Sequence, residues 1–579
     1  MYGWAGKILK VDLTSGRIWR EDIPQELLHT YLGGRGLGVR LLRERFLLDP
    51  FDRTMPLIFA VGPLGGTAAP AAAHLNVVTR SPLTGTVSES SVGGRFAWRL
   101  KAAGVDALYI TGESNSPVVL AISGDNAELL PANRLWGRGI HETVASLASR
   151  GSVAAIGPAG ENGVLYANIM LGDGNSAGRG GLGAVMGRKR LKAVVVDGSG
   201  STTIADKGRF DNACNDVMRL FRASPVIFGE LGISEYGTPA LVDLMRQRRM
   251  TPTENFRKTV FECSSSYSGP AIRLCYQAMK NGCHGCPIQC GQSTPSGEQL
   301  PEYETLSHFG ALNGISSLSA IVKANTICNE LGLDTISAGA TISAWGEWRG
   351  RFPDGDELPA LLADIACRRG DGELLSLGSR RATEALGAPE LSMSVKSLEL
   401  PAYDPRGAYG MALAYCTSNR GGCHLGAYPI AHEVLRKPVA TDRFSFSGKA
   451  RIIKIAEDGN AAADSLVACR YSIFGASLEE YAELLTASVG IEYTPESLRQ
   501  IGERVHLTER FYNCANGFSA DDDILPERFY TEHGSSGEGI EIPPIDRVRF
   551  LEELQRYYRM RGLTPEGTFA HGDFLERQP

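Results

Sequence analysis

Residues 281–291 read NGCHGCPIQCG, which sets Cys283, Cys286 and Cys290 at C-x2-C-x3-C spacing. Three thiolates this close can converge on one soft metal centre. Iron–sulfur clusters take four cysteine ligands, and three local plus one remote cysteine would hold a [4Fe–4S] cluster. Zinc is the rival, since all-cysteine and mixed cysteine–histidine sites also use C-x2-C. The second close pair usual in zinc sites does not follow, and His284 would complete one only with awkward local geometry. Thiols left this close without a metal would be redox-labile. Spacing leaves the fourth ligand open among Cys423, Cys469 and Cys514. Most of the 12 cysteines are scattered and read as small buried hydrophobes.

Two glycine-rich segments carry arginine: RSPLTGTVSESSVGGR at 80–95 and AGRGGLGAVMGRKRLK at 177–192. Backbone amides in such turns form anion-binding nests, and arginine adds bidentate phosphate contacts. Neither ends in the GK[ST] of a P-loop, and neither has the βαβ context of a dinucleotide site. A third cluster, YLGGRGLGVRLL at 31–42, reads as a loop entering a helix, serving either packing or binding.

The elements that must position these residues change in texture along the chain. Residues 1–205 read as β-rich: KILKVDL and RIWREDI flank Gly16 as a hairpin, and short apolar runs such as LIFAVG, LNVVT, ALYIT, VVLAI and LKAVVV follow. From 206 onward, PALVDLMRQRR, AIVKANTICNELG, LPALLADIACRRG and ARIIKIAEDGNAAADSLVACR have helical apolar spacing. WRGRFPDGDELP and PAYDPRG read as breaks, with a softer boundary at 395. The expected architecture is α+β and multidomain: a β-rich domain at 1–205 and helical domains at 206–395 and 396–579. A chain of 579 residues exceeds one hydrophobic core. Its 43% apolar and 21% charged fractions are ordinary, and its net charge of −6 argues against non-specific nucleic-acid binding. No apolar run is long enough to span a membrane, and the N-terminus does not read as an export signal, so a cytoplasmic location is expected. The sequence does not encode the oligomeric state, and a homo-oligomer is compatible with it.

The chain resembles the aldehyde:ferredoxin oxidoreductase family of tungsten bis-pterin enzymes. The matching pieces are collinear from residue 3 to 529: GWAGKILKVDLTSG, YLGGRGLG, RSPLTG, GGLGAVMGRKRLKAV, CHGCPIQC, PEYET, NELGLDTIS, PAYDPRG, SNRGGCHL, ADSLVAC and GFSADDDILPERF. The resemblance implies a β-rich base for the cofactor covered by two helical domains. Tungsten (or molybdenum) is held by the dithiolene sulfurs of two pterins, whose phosphates are bridged by Mg2+. It implies Cys283, Cys286, Cys290 and Cys469 as cluster ligands. Asp464 and the Ala468 backbone would contact one pterin, and Asn329, Leu333 and Asp334 the other. Arg80, Gly93, Gly94 and Arg179 would contact phosphate, and Ser91 and Gly180 would offer carbonyls to magnesium. Four positions depart from the family pattern: Asn329 stands for Asp, Val467-Ala468 for Gly-Leu, and Gly426 for the Lys of some members.

The resemblance further implies oxidation of an aldehyde to a carboxylic acid, with electrons leaving through the cluster to ferredoxin or a separate iron–sulfur subunit. Glu304 in PEYET corresponds to the catalytic glutamate. A carboxyl buried beside an apolar pocket rises toward neutrality and suits a base. His424 in GGCHL corresponds to a donor to the substrate oxygen, with Tyr303 and Tyr403 as further donors. Two other classes stand beside this: reduction of an aromatic acyl-CoA on the same cofactor, and a non-catalytic zinc-stabilised binding protein.

Overall fold

The computed structural model describes residues 1–578. The hairpin expected around Gly16 forms, pairing β1 (Lys7–Asp12) with β2 (Arg17–Asp22) in the register Lys7↔Asp22 to Asp12↔Arg17. They open a six-stranded sheet with β3 (Leu57–Ala60), β4 (His74–Arg80), β5 (Val87–Gly93) and β6 (Ala107–Thr111), ordered β2-β1-β6-β3-β4-β5. All its pairs are antiparallel except β1 with β6. A second sheet contains β7 (Val118–Ser123), β8 (Asn126–Pro131), β9 (Ser152–Ala155), β10 (Ile169–Leu171), β11 (Ser176–Ala177) and β12 (Leu191–Asp197), ordered β11-β10-β9-β12-β7-β8.

Strand periodicity of two decides what each face buries. Leu9, Val11, Phe59, Leu75, Val77, Leu108 and Ile110 of the first sheet pack on Leu120, Ile122, Ala154, Val194 and Val196 of the second. The alternate residues Ile8, Ile58, Ala60, Val78 and Ala107 turn the other way, into a cluster shared with the helical part of the chain. With both of its faces covered, the inner strand β3 carries no polar residue, which is why LIFA at 57–60 is an unbroken apolar run.

The four helical segments anticipated from apolar spacing form at Leu241–Gln247, Leu318–Leu331, Leu358–Cys367 and Lys449–Leu466. Residues from both sides of position 395 contribute to one apolar cluster, including Leu362, Ile365, Leu398, Leu413 and Ile453. YLGGRGLG proves to be a packing element. Its helix, Gly34–Leu41, lies so close to neighbours that a Cβ at Gly34 would stand 2.1 Å from the Asp464 carbonyl and one at Gly38 2.6 Å from Val78. The C-terminal segment is docked, with the Phe574 ring 4.7 Å from Phe569 and 5.6 Å from Phe511.

Helix Lys449–Leu466 crosses helix Pro495–Ala515 at Gly502, where a Cβ would sit 1.8 Å from the Asp458 carbonyl oxygen. Gly502→Ala must part the two helices and is expected to cost about 1–3 kcal/mol or more. Gly459→Ala, in the same helix pair but facing open space, should be neutral or gain up to about 1 kcal/mol. Thermal unfolding of the two variants checks the contrast; a Gly502→Ala protein as stable as the parent would contradict this crossing.

Candidate active site

A cavity of about 620 Å3 opens where the edge of the first sheet, the loop after β11 and the helical region meet. Its lining includes Cys283, Cys286, Cys290 and Cys469 together with Glu304, His424, Tyr303 and Tyr403. Residues separated by nearly 190 positions in sequence therefore share one chamber.

The cysteine wall is built by a short hairpin, Met279–Asn281 against Gly291–Ser293, which carries the three local cysteines between its strands. Cys469 arrives from the end of helix Lys449–Leu466, and its N–H donates to the Ala71 carbonyl at 2.7 Å. Burial, with the neighbouring Cys469 and Cys286, pushes the Cys283 thiol up, and burial with Cys286 takes Cys469 up to about 12. A Cβ at Gly93 would lie 2.3 Å from the Cys283 sulfur. Among the described residues, no three His, Cys, Asp or Glu side chains converge tightly enough to hold a single ion. The other two fourth-ligand candidates stand outside the lining. Cys423 Sγ accepts from Arg420 Nε at 3.1 Å, Arg420 Nη2 at 2.9 Å and the Leu425 N–H at 3.2 Å. Although burial alone would raise it, Arg420, Arg470 and Arg179 hold that thiol below its ordinary value. Cys514 Sγ points at the Gly567 carbonyl, 3.7 Å away. His284 is outside the lining too, its ring 5.1 Å from Trp98.

Glu304 lies in the first turn of helix Tyr303–Phe309 and His424 in the loop after helix Tyr409–Thr417. Glu304 Oε1 and His424 Nε2 are 3.7 Å apart. Glu304 Oε2 accepts from the Ala402 N–H at 2.9 Å, which fixes the carboxyl and leaves Oε1 without a hydrogen-bond partner. Burial raises this carboxyl to about 8. Burial, then the charges of Arg179, Arg420 and Arg470, hold His424 well below its ordinary value, so its ring is neutral at pH 7; its Nδ1 has no partner. The Tyr403 ring packs on both His424 and Tyr303, and its hydroxyl accepts from Tyr428 at 3.1 Å. Tyr303 differs from expectation: its hydroxyl donates to the Ala402 carbonyl at 2.5 Å, so its one proton is committed to backbone instead of substrate.

Of the residues expected around the cofactor, Ser91, Gly93, Arg179, Asn329, Leu333 and Asp334 line the cavity. Arg179 donates to the Gly422 carbonyl at 2.9 Å and the Glu399 carbonyl at 2.6 Å, beside Asp334 at 3.5 Å. Asp334 also caps helix Thr335–Trp348 through the Ile336 N–H. Gly94 and Gly180 adjoin lining residues, and a Cβ at either would strike a side chain: Asp173 at 2.5 Å for Gly94, Ser88 at 2.1 Å for Gly180. Arg80 stands apart, because its guanidinium is taken by the carbonyls of Gly85 and Leu48, both at 2.8 Å. Asp464 and Ala468 lie just behind the wall. The Asp464 carboxylate is held by Arg35 and Arg470, and the Ala468 N–H donates to Ala463 within the helix end.

Several lining residues carry no motif signal of their own: His74, Asn168, Gln292, Tyr428 and Arg470. Arg420 was legible only as part of SNRGGCHL, and Arg470 only as the residue after Cys469. His74 bonds Ser91 Oγ at 3.1 Å, and burial, with Arg470, lowers it to about 4. Asn168 Oδ1, Arg179 Nε, Gln292 Oε1, Glu304 Oε1, His424 Nδ1 and Arg470 Nη1 are all buried without hydrogen-bond partners, and all belong to this one cavity. Native interiors pair such atoms, so this chamber is built for a polar occupant. Three largely buried arginines in its lining, Arg179, Arg420 and Arg470, suit an anionic one.

Residues 8–198 match the aldehyde ferredoxin oxidoreductase N-terminal domain, and residues 212–574 match aldehyde ferredoxin oxidoreductase domains 2 and 3. The chain is 40% identical to a tungsten-containing aldehyde ferredoxin oxidoreductase of Pyrococcus furiosus, over 98% of this chain and 97% of the relative. It is 39% identical, with the same coverage, to the enzyme of that name from Thermococcus kodakarensis. The active-site complex of benzoyl-coenzyme A reductase with 1,5-dienoyl-CoA has a similar structure, with TM-score 0.83 and 26% identity over 98% of this chain and 96% of that one. No helix among the described residues is long and apolar enough to cross a membrane. Two family models spanning nearly the whole length, and relatives matched end to end, establish that this chain belongs to the aldehyde ferredoxin oxidoreductase family of tungsten-containing oxidoreductases.

Proposed function

We propose that this protein oxidises aldehydes to carboxylic acids with water and passes the electrons to ferredoxin or a partner iron–sulfur subunit. The observation that carries this reading is the Glu304–His424 pair, 3.7 Å apart, each with an unpaired buried atom, in the chamber that also gathers four cysteines. Cys283, Cys286, Cys290 and Cys469 would hold a [4Fe–4S] cluster. Arg179, Asn329, Leu333 and Asp334, with the Gly93-Gly94 and Gly180 turns, would hold the two pterins, and Ser91 and Gly180 would offer carbonyls to Mg2+. When bound, the tungsten–pterin group supplies the two-electron acceptor and the cluster supplies one-electron steps outward.

The chain's own residues have separate tasks. The neutral His424 donates a hydrogen bond to the substrate oxygen, polarising the carbonyl without charging the site. Glu304 in its ionised form takes a proton from water. A carboxyl near 8 is a stronger base than an exposed one and still ionises near neutral pH. Tyr403, with Tyr428 donating to it, can turn its own proton toward the substrate. Burial excludes bulk water, which strengthens each of these contacts. Family membership sets aside the non-catalytic zinc protein. Reduction of an aromatic acyl-CoA keeps the structural likeness to benzoyl-coenzyme A reductase in its favour. However, the only Arg and Lys residues of the lining are the largely buried Arg179, Arg420 and Arg470, so the lining offers no exposed basic residue to CoA phosphates. Benzoyl-CoA with a strong reductant separates the two readings.

Viologen-linked oxidation of short, branched and aromatic aldehydes tests the proposal. Glu304→Gln should lower kcat about 10²–10⁴-fold. Because the base must be ionised, the parent rate should climb about tenfold per pH unit below pH 8 and level off above it. A flat profile from pH 6 to 8, or full activity in Glu304→Gln, would refute the base assignment. Serine at any one of Cys283, Cys286, Cys290 or Cys469 should abolish the reduced-cluster EPR signal and lower iron content, whereas Cys328→Ser and Cys416→Ser should leave both intact. Retention of the signal in Cys469→Ser would reassign the fourth ligand.

A further inference from the structure

Arg470 lines the chamber together with Cys469, Glu304 and His424. It follows Cys469 directly and opens the short turn Arg470–Phe474 that carries the chain away from the cysteine wall. Its charge is felt at both Cys469 and His424, which line the same cavity. Its guanidinium is oriented from behind: Nε donates to Asp464 Oδ1 at 3.0 Å, Nη2 bonds Asp464 Oδ2, and Glu89 lies 3.3 Å from Nη2. The third nitrogen, Nη1, is buried without a partner in a residue that lines the cavity. A guanidinium with two nitrogens fixed and one left over is a donor aimed at an absent acceptor, and the acceptor chemistry it selects is anionic.

The charge arrangement is directional. Asp464 is fully buried behind the wall and shared with Arg35, whose Nη1 lies 3.2 Å away, while Arg35 is itself clamped by Glu509 at 2.7 Å. The carboxylates therefore sit on the far side of Arg470, and its positive end faces the cavity beside Cys469. Positive charge and N–H donors next to a cluster favour its reduced, more negative state.

On the reading above, in which Cys469 ligates a [4Fe–4S] cluster, we propose that Arg470 is a positioning residue that would offer Nη1 to an anionic group of the bound cofactor and raise the cluster's reduction potential. Arg470→Gln keeps a hydrogen-bond donor but removes the charge; Arg470→Lys keeps the charge. Redox titration of the holoenzyme, followed by EPR of the reduced cluster, should give a lower midpoint for Arg470→Gln and one near the parent for Arg470→Lys. Asp464→Asn removes the opposing charge and should move the midpoint upward, which keeps a test available if Arg470→Gln does not retain iron. Equal midpoints for parent and Arg470→Gln at equal iron content, or a downward shift in Asp464→Asn, would overturn the assignment. A parent holoenzyme without iron or a cluster signal would instead remove the cluster reading on which the assignment rests.

Discussion

The chamber rests on a buried ionic cluster. Arg35 binds Glu509 through Nε and Nη2, both at 2.7 Å, and reaches Asp464 through Nη1. Asp464 and Glu89 pair with Arg470, and Arg420 donates to the Glu89 carbonyl at 2.6 Å. Six groups, three of each sign, tie β5 of the first sheet to helices Gly34–Leu41, Lys449–Leu466 and Pro495–Ala515 and to the loop that carries His424. Loss of any one member would leave a buried charge uncompensated, at about 3–5 kcal/mol. These groups join the sheet edge to the helices and the loop beside the chamber, and two of them, Arg420 and Arg470, line it.

The same burial acts in opposite directions on the two central residues. It disfavours the charged form of each, so a carboxyl rises and an imidazole falls. Glu304 has no arginine in hydrogen-bonding contact and is fixed by a backbone amide. His424 additionally feels three arginines. The result is an acid that ionises near physiological pH beside a ring that stays neutral through it.

Close backbone approach is the second constraint. The glycines of YLGGRGLG let their helix lie against Asp464 and Val78, which brings Arg35 into the ionic cluster. The helix before Cys469 ends at Val467 with φ 60° and ψ 30°, a left-handed conformation that a β-branched residue adopts at a cost. That turn directs Cys469 and Arg470 into the chamber. Glycine would meet the turn without strain, so the departure from the family's Gly-Leu at Val467-Ala468 is carried by the surrounding packing of Val467, which is fully buried.

The sequence by itself determined the β-then-α order, the hairpin at Gly16, the helices with 3.6-residue apolar spacing and the local cysteine trio. These signals are short-range: alternation, turn residues and i to i+4 repeats lie within one element. The family motifs also nominated Glu304, His424 and Cys469 from far-separated stretches. Only the tertiary structure decided that these residues share one cavity, that the Arg80 guanidinium is spent on carbonyls, that the Tyr303 hydroxyl is committed to backbone, and that Arg470 has an unpaired nitrogen. Each of those facts depends on which distant atom fills a hydrogen bond or removes water from a charge, and no local pattern in a chain specifies that.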